Sequence, residues 1–236
     1  MSDEERARLR KLYEGLRTTD VGDGLDYCGL QDVTLMSADI KPLWRNIETF
    51  SHRIVGFANT LRFVPTKRRP GPMPADQWRE LVGKWYRELA PGPDRGAIRP
   101  GDVIVIDAPS TRCGFIGSNN AQGWMNAGAE GVVTNGGARD TDELIKQQVP
   151  VYCTTIGRTI RPGRLEFDSA NVTVNVGGVK VSPEDLIVAD GDGVVVVPQD
   201  FIEEAAKYAR EIHEGDARGR AKLYEEAGLE PDFTLQ

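Results

Sequence analysis

The stretch "GVVTNGGARDTDEL" at 131–144 places an arginine and a carboxylate directly behind two glycines. Apolar and β-branched residues lead into Gly136–Gly137, and Arg139, Asp140, Asp142 and Glu143 follow. Glycine after a strand lets the chain turn sharply and lets a ligand approach the backbone. The residues behind it read as the start of a helix, whose free N–H groups favour anions. Arg139 adds a planar, permanently charged fork suited to a carboxylate. Asp140 beside it could ligate a hard cation such as Mg²⁺ through oxygen. Together they describe a site for an anionic substrate held on a metal. The same residues also suit a plain N-terminal ion pair, with the acids favouring the helix dipole.

A second stretch, "CGFIGSNN" at 113–120, has Gly114 and Gly117 around Phe115 and Ile116, with a helix expected to begin near Ser118. Backbone N–H groups at such a start could hold a carboxylate. Arg112, just before it, could meet a second acidic group; the alternative is a strand-to-helix turn with a surface arginine. Elsewhere the chemistry thins out. Asp190 and Asp192 in "ADGDGVVVV" resemble the start of a calcium loop, but Phe201 stands where its bidentate glutamate belongs, so a β-turn is the reading. His52 and His213 have no partner at metal-ligand spacing. Cys28, Cys113 and Cys153 are odd in number and far apart, which argues against a zinc site and a disulfide framework. No phosphate loop, nucleophile elbow or dinucleotide fingerprint is present.

These stretches need elements to hold them. "RIVGFANTLRFVP" (53–65), "DVIVID" (102–107), "GVVTN" (131–135) and "VPVYCTT" (149–155) read as strands. "NAQGWMNAGA" and "RDTDELIKQQ" between them read as helices, and this alternation predicts an α/β layered core. "VTVNVGGVKV" (172–181) reads as a hairpin turning on Gly177–Gly178, and "DLIVADGDGVVVVP" as two further strands. Charged helices are expected over 3–16 and after Gln199, with a second N-terminal helix capped by Thr18, Thr19 or Asp20. Residues 66–99 interrupt the rhythm. "PTKRRPGPMPAD" and "PGPDRGAIRPGD" are loops around one amphipathic helix, with Trp78, Leu81, Val82, Trp85 and Leu89 at helical spacing. Its tryptophans are read as packing on the body. The division is a single domain over 1–236, an insertion at 66–99, and a C-terminal helix and tail at 199–236.

A length of 236 residues with 39% hydrophobic content suits one domain with a sizeable core. The net charge of −7, with "TKRR" at 66–69 the only tight basic cluster, argues against a nucleic-acid surface. No apolar run approaches membrane-spanning length. The charged N-terminus does not read as a signal peptide, so a cytoplasmic location is expected.

Gly117, twenty-one residues, then Arg139–Asp140–x–x–Glu143 resembles the G-x(about 20)-R-D-x-x-[DE] signature of one family. That family unites the metal-dependent, class II 4-hydroxy-4-methyl-2-oxoglutarate/4-carboxy-4-hydroxy-2-oxoadipate aldolases with regulators of ribonuclease E activity. "TTDVGDGLD" and "NVTVNVGGVKVSPEDLIVADGDGVVVVP" resemble its other segments, so that the likeness covers about 15–65 and 100–215 and leaves out 66–99. The resemblance implies a layered α/β/β/α sandwich of the swivelling-domain-like type, assembled as a homotrimer or dimer of trimers. It implies Mg²⁺ or Mn²⁺ on Asp140, and Arg139 against the pyruvyl part of a 2-oxo acid. The substrate carboxylate would lie on the amides behind Gly117, at Ser118, Asn119 and Asn120. An acid from the neighbouring subunit's C-terminal region, here Glu211 or Glu214, would complete the pocket. The implied activity is lyase chemistry through a metal-stabilised pyruvate enolate, as an aldolase or an oxaloacetate decarboxylase. The alternative is a non-catalytic, protein-binding regulator of ribonuclease E type. One departure stands out: Ser118 occupies a position that is usually acidic in the aldolases, which leaves the general base unassigned.

Overall fold

The computed structural model describes residues 1–109 and 113–235. Six α-helices are present in this range: α1 (Asp3–Leu12), α2 (Thr18–Tyr27), α3 (Ala75–Lys84), α4 (Ser118–Met125), α5 (Thr141–Lys146) and α6 (Ile202–Ala227). The strands are β1 (Lys41–Pro42), β2 (Ile54–Pro65), β3 (Asp102–Asp107), β4 (Gly114–Ile116), β5 (Ala129–Thr134), β6 (Gly137–Ala138), β7 (Val151–Cys153), β8 (Thr155–Ile156), β9 (Leu165–Ala170), β10 (Val174–Val176), β11 (Val179–Val181), β12 (Leu186–Asp190) and β13 (Gly193–Val197).

The main sheet runs β1-β7-β5-β3-β2-β12-β13, with β9 added to the far half of β2. Strands β7, β5, β3 and β2 are mutually parallel, as expected of strands joined by helical crossovers. Successive side chains of β3 serve two cores. Ile104 and Ile106 pack with Phe115, Trp124 and Trp85, while Val103 and Val105 pack with the valines of the β10–β11 hairpin and with Val194 and Val196. A third core joins Leu186, Val188, Val195 and Val197 to α1, α2 and α6 through Leu9, Leu25, Ala205 and Ala209. Helices thus flank a valine-rich interior from two sides, the layered α/β arrangement read from the sequence.

The segment at 66–99 contains α3, which continues into a π-helical turn over Trp85–Leu89. Trp85 is fully buried, and its Nε1 donates to the carbonyl of Leu165 at 2.9 Å. This segment is therefore clamped to the body by an aromatic side chain whose one polar atom is satisfied. At the N-terminus, Arg6 is buried under a cation–π contact with Phe57 and is paired with Asp102 and Glu184.

Three readings need correction. α1 stops at Leu12 rather than reaching 16, and Gly15 follows at φ +80°. The run 113–120 contains the short strand β4 rather than a loop throughout. The strand β9 was not foreseen: "LEFDSA" pairs antiparallel with β2, setting Phe167 opposite Phe63. The other polar motifs have structural partners. Asp190 accepts from the Thr18 amide and hydroxyl and from Asp192 N, as an acid closing a turn would. His213 Nδ1 lies 2.8 Å from Asp20 Oδ2, and His52 Nδ1 accepts from Asn46 N at 3.2 Å.

Candidate active site

Three short parallel strands, β4, β6 and β8, bring the two glycine-rich stretches side by side. Gly114 stands opposite Gly137, and Ile116 opposite Ala138. The amide of Arg139 donates to the carbonyl of Ile116 at 2.8 Å, which fixes Arg139 beside the loop that opens α4. Close approach explains the small residues. A Cβ on Gly136 would stand 2.5 Å from the Phe115 ring, and one on Gly137 2.7 Å from the Cys113 carbonyl. The glycine pair is thus required for packing, not for a turn, which corrects the first reading. The turn falls one step later: Asp140 itself has φ +53°, a left-handed conformation that Asp tolerates better than most residues. Asp140 is the cap residue of α5 and not part of its first turn. Its carbonyl accepts from Leu144 N at 3.0 Å.

Arg139 Nε donates to Asp140 Oδ1 at 3.0 Å, with both side chains about one-third exposed. A Cβ on Gly117 would fall 2.8 Å from Asp140 Oδ2. Glycine at 117 therefore leaves the space in which that oxygen lies. Gly117 is also the cap of α4, and the first N–H groups of α4, at Ser118, Asn119 and Asn120, have no acceptor within the helix.

These groups line a cleft of about 450 Å³ together with Phe115, Trp124 and Arg161. Of the candidate residues named from the sequence, Gly117, Asn119, Asn120, Arg139 and Asp140 border it. Ser118 does not border it and is buried. Arg112 lies outside the described residues. Glu211 and Glu214 are exposed on α6 and do not border this chain's cleft; Glu214 lies 3.9 Å from Arg218.

The opposite wall comes from the 66–99 segment, through Tyr86, Gly92, Pro93 and Arg95. Neither these residues nor Arg161 belong to any motif in the sequence. Arg161 is 4% exposed, and its guanidinium lies 4.8 Å from the Tyr86 ring centre and 5.7 Å from that of Phe63. Burial pulls its pKa below the usual arginine range. Among the described residues the cleft has three arginines, at 95, 139 and 161, against one carboxylate, Asp140. A protein of net charge −7 thus concentrates positive charge here, which suits an anionic ligand. Cys113 lies behind the wall; burial pushes its thiol up to about 11, so it is no nucleophile near neutral pH.

Among the described residues no group of three or more His, Cys, Asp or Glu side chains could hold a metal. That excludes a closed protein cage within them. It fits an ion that keeps waters and takes one carboxylate plus substrate oxygens, as Mg²⁺ does. Asp140, on the cleft wall with Oδ2 cleared by Gly117, is such a carboxylate.

A model of the RraA-like family, described as Aldolase/RraA, matches residues 18–196. The chain belongs to the RraA-like family. The "Putative 4-hydroxy-4-methyl-2-oxoglutarate aldolase" of Halalkalibacterium halodurans is 30% identical over 213 residues, 89% of this chain and 86% of that protein. "Protein DlpA" of Legionella pneumophila is 27% identical over 188 residues, 79% of this chain; the match spans only 27% of that much longer protein. Among solved structures, Streptomyces coelicolor RraAS2, titled an unusual member of the RNase ES inhibitor RraA protein family, superposes with a TM-score of 0.70. It is 25% identical, and the match covers 90% of this chain and 96% of that one. This RraA-like chain therefore resembles both proteins named as aldolases and proteins named as ribonuclease inhibitors.

Proposed function

We propose that this RraA-like protein is a divalent-metal-dependent lyase that cleaves a C–C bond of a 2-oxo acid, as an aldolase, an oxaloacetate decarboxylase or both. One observation carries the reading: Arg139 and Asp140 are paired on the wall of a cleft into which the first turn of α4 also opens. Asp140 would hold Mg²⁺ or Mn²⁺, and the bound dication supplies Lewis acidity toward the 2-oxo group.

The chain's own residues do the rest. The free amides at the start of α4 donate to the substrate carboxylate. Arg139 is oriented by the bond from its Nε to Asp140, and among the described residues its Nη groups have no protein acceptor. They face the pyruvyl end, where negative charge grows as the C–C bond breaks, and a fixed cation there needs no reorganisation. In aldol cleavage the C4 hydroxyl also loses its proton. In decarboxylation CO₂ leaves, and the same electron pair stays on C3. One site therefore serves both reactions. Among the described residues the cleft has no histidine and no carboxylate besides Asp140. The hydroxyl proton then passes to water or to an acid of a neighbouring copy, for which Glu211 and Glu214 are the proposed groups in a trimer or dimer of trimers.

Pyruvate release from oxaloacetate and from 4-hydroxy-2-oxo acids, with Mg²⁺ and with chelator, tests the proposal. Release that chelator abolishes and Mg²⁺ restores is expected. No release from any of these substrates, together with tight binding of a ribonuclease, contradicts it and favours the regulator.

A further inference from the structure

Arg95 and Arg161 border the same cleft as Arg139 and Asp140, and the proposed reaction does not use their charge. Arg161 is more than nine-tenths buried, borders the cleft, and has an Nε with no hydrogen-bond partner among the described residues. No carboxylate among those residues lies within ion-pair distance of it or of Arg95. An arginine cannot shed its proton to relieve burial. A buried charge without a counter-charge is costly, and the rings of Tyr86 and Phe63 with the Tyr86 hydroxyl supply contacts but no carboxylate. Arg95 reaches the same cleft from the inserted segment, its guanidinium lying over Gly123 of α4, where any side chain would collide with it. The inserted loop runs close to Arg161 as well: a Cβ on Gly92 would stand 3.8 Å from Arg161 Nη1 and 3.8 Å from the Trp124 ring.

One carboxylate at the α4 end leaves these two guanidiniums without a counter-charge. We propose that Arg95 and Arg161 form a second anion subsite, which selects 2-oxo acids whose far end carries a carboxylate. The inference rests on the proposed function for the placement of the oxo-acid head. Guanidinium forks match a carboxylate in bidentate geometry, and the aromatic rings of Phe115 and Trp124 line the cleft beside them. On this account the 66–99 segment determines specificity, with Tyr86 holding Arg161 in place.

Two ligands that share the head and differ in the tail test the subsite. Calorimetry on the full chain with saturating Mg²⁺ compares 2-oxoglutarate, which has a distal carboxylate, with pyruvate, which has none. The wild type is expected to bind 2-oxoglutarate at least about tenfold tighter, the order of one charge-assisted contact. Arg95→Gln and Arg161→Gln each bring that ratio toward one and leave pyruvate affinity within about twofold. Arg95 is exposed, so its variant is free of the folding risk that the buried Arg161 carries. Equal binding of the two ligands by the wild type, or no binding of either, overturns the proposal. A ratio that survives one substitution removes that arginine from the subsite, and survival in both overturns it. An Arg95-dependent ratio in a protein that releases no pyruvate supports the subsite and contradicts the lyase reading, so the two claims fail separately.

Discussion

Asp140 combines an unusual backbone with a partly exposed carboxylate. Its left-handed conformation directs Arg139 and its own Oδ2 to the same cleft, and asparagine tolerates that conformation equally well. Asp140→Asn is therefore expected to lower Mg²⁺-dependent pyruvate release by at least about 100-fold, the scale of losing a group used in the transition state. The thermal midpoint should stay within about 2 °C, because no buried contact is lost. Gly117→Ala probes the same oxygen from the other side. Its methyl group would fall 2.8 Å from Oδ2, so the carboxylate must swing away; turnover should drop by about tenfold or more, with less than about 1 kcal/mol lost in denaturant titration. Arg139 and Asp140 were legible in the sequence because their chemistry is carried by adjacent residues between strand and helix. Arg161 was not. Nothing in "IRPGR" reports that Tyr86 and Phe63, both distant in sequence, enclose its guanidinium.

At the scale of elements, the cleft depends on how the segment carrying α3 is anchored. Trp85 fills the core and donates to Leu165 O, so Trp85→Ala removes a large buried side chain and leaves that carbonyl without its donor. A loss of about 3–5 kcal/mol is expected in chemical denaturation. Because Tyr86 follows directly and Arg95 lies on the same segment, ligand affinity should fall with it. Unchanged affinity in a folded Trp85→Ala protein would detach the segment from the site. The long apolar strands were legible from their composition, since β3 and β5 are buried on both faces. β6 and β8, of two residues each, and β9 were not. Their pairing is set by neighbours that Gly114, Gly137 and Phe63 meet only in the folded chain.

At the scale of the whole molecule, pH acts through His52. Burial, and then the charge of Arg53, lower its pKa from 6.5. Protonation would also remove the acceptor that Nδ1 offers to Asn46. The folded pKa lies below the unfolded one, so the contribution to stability is complete above pH 6.5 and is lost as pH falls through the folded value. The thermal midpoint should decline below pH 6.5, and His52→Gln should flatten that decline; an identical slope in the variant would exclude His52 as the cause. The layered α/β architecture was legible from the order of strands and helices, whereas assembly is written in surfaces that one chain does not pair. Sedimentation is expected to give three or six times 26.0 kDa, and a monomer active in lyase assays would remove Glu211 and Glu214 from the mechanism.

The claim on which the rest depends is that Asp140 and Arg139 together hold a metal-bound oxo-acid head. A crystal of the full chain with Mn²⁺ and oxalate tests it most directly, through the anomalous signal of the ion. The account predicts an anomalous peak beside the Asp140 carboxylate, with oxalate in contact with Arg139 and the amides behind Gly117. An ion bound elsewhere, with Asp140 and Arg139 making no contact to ion or oxalate, would contradict it.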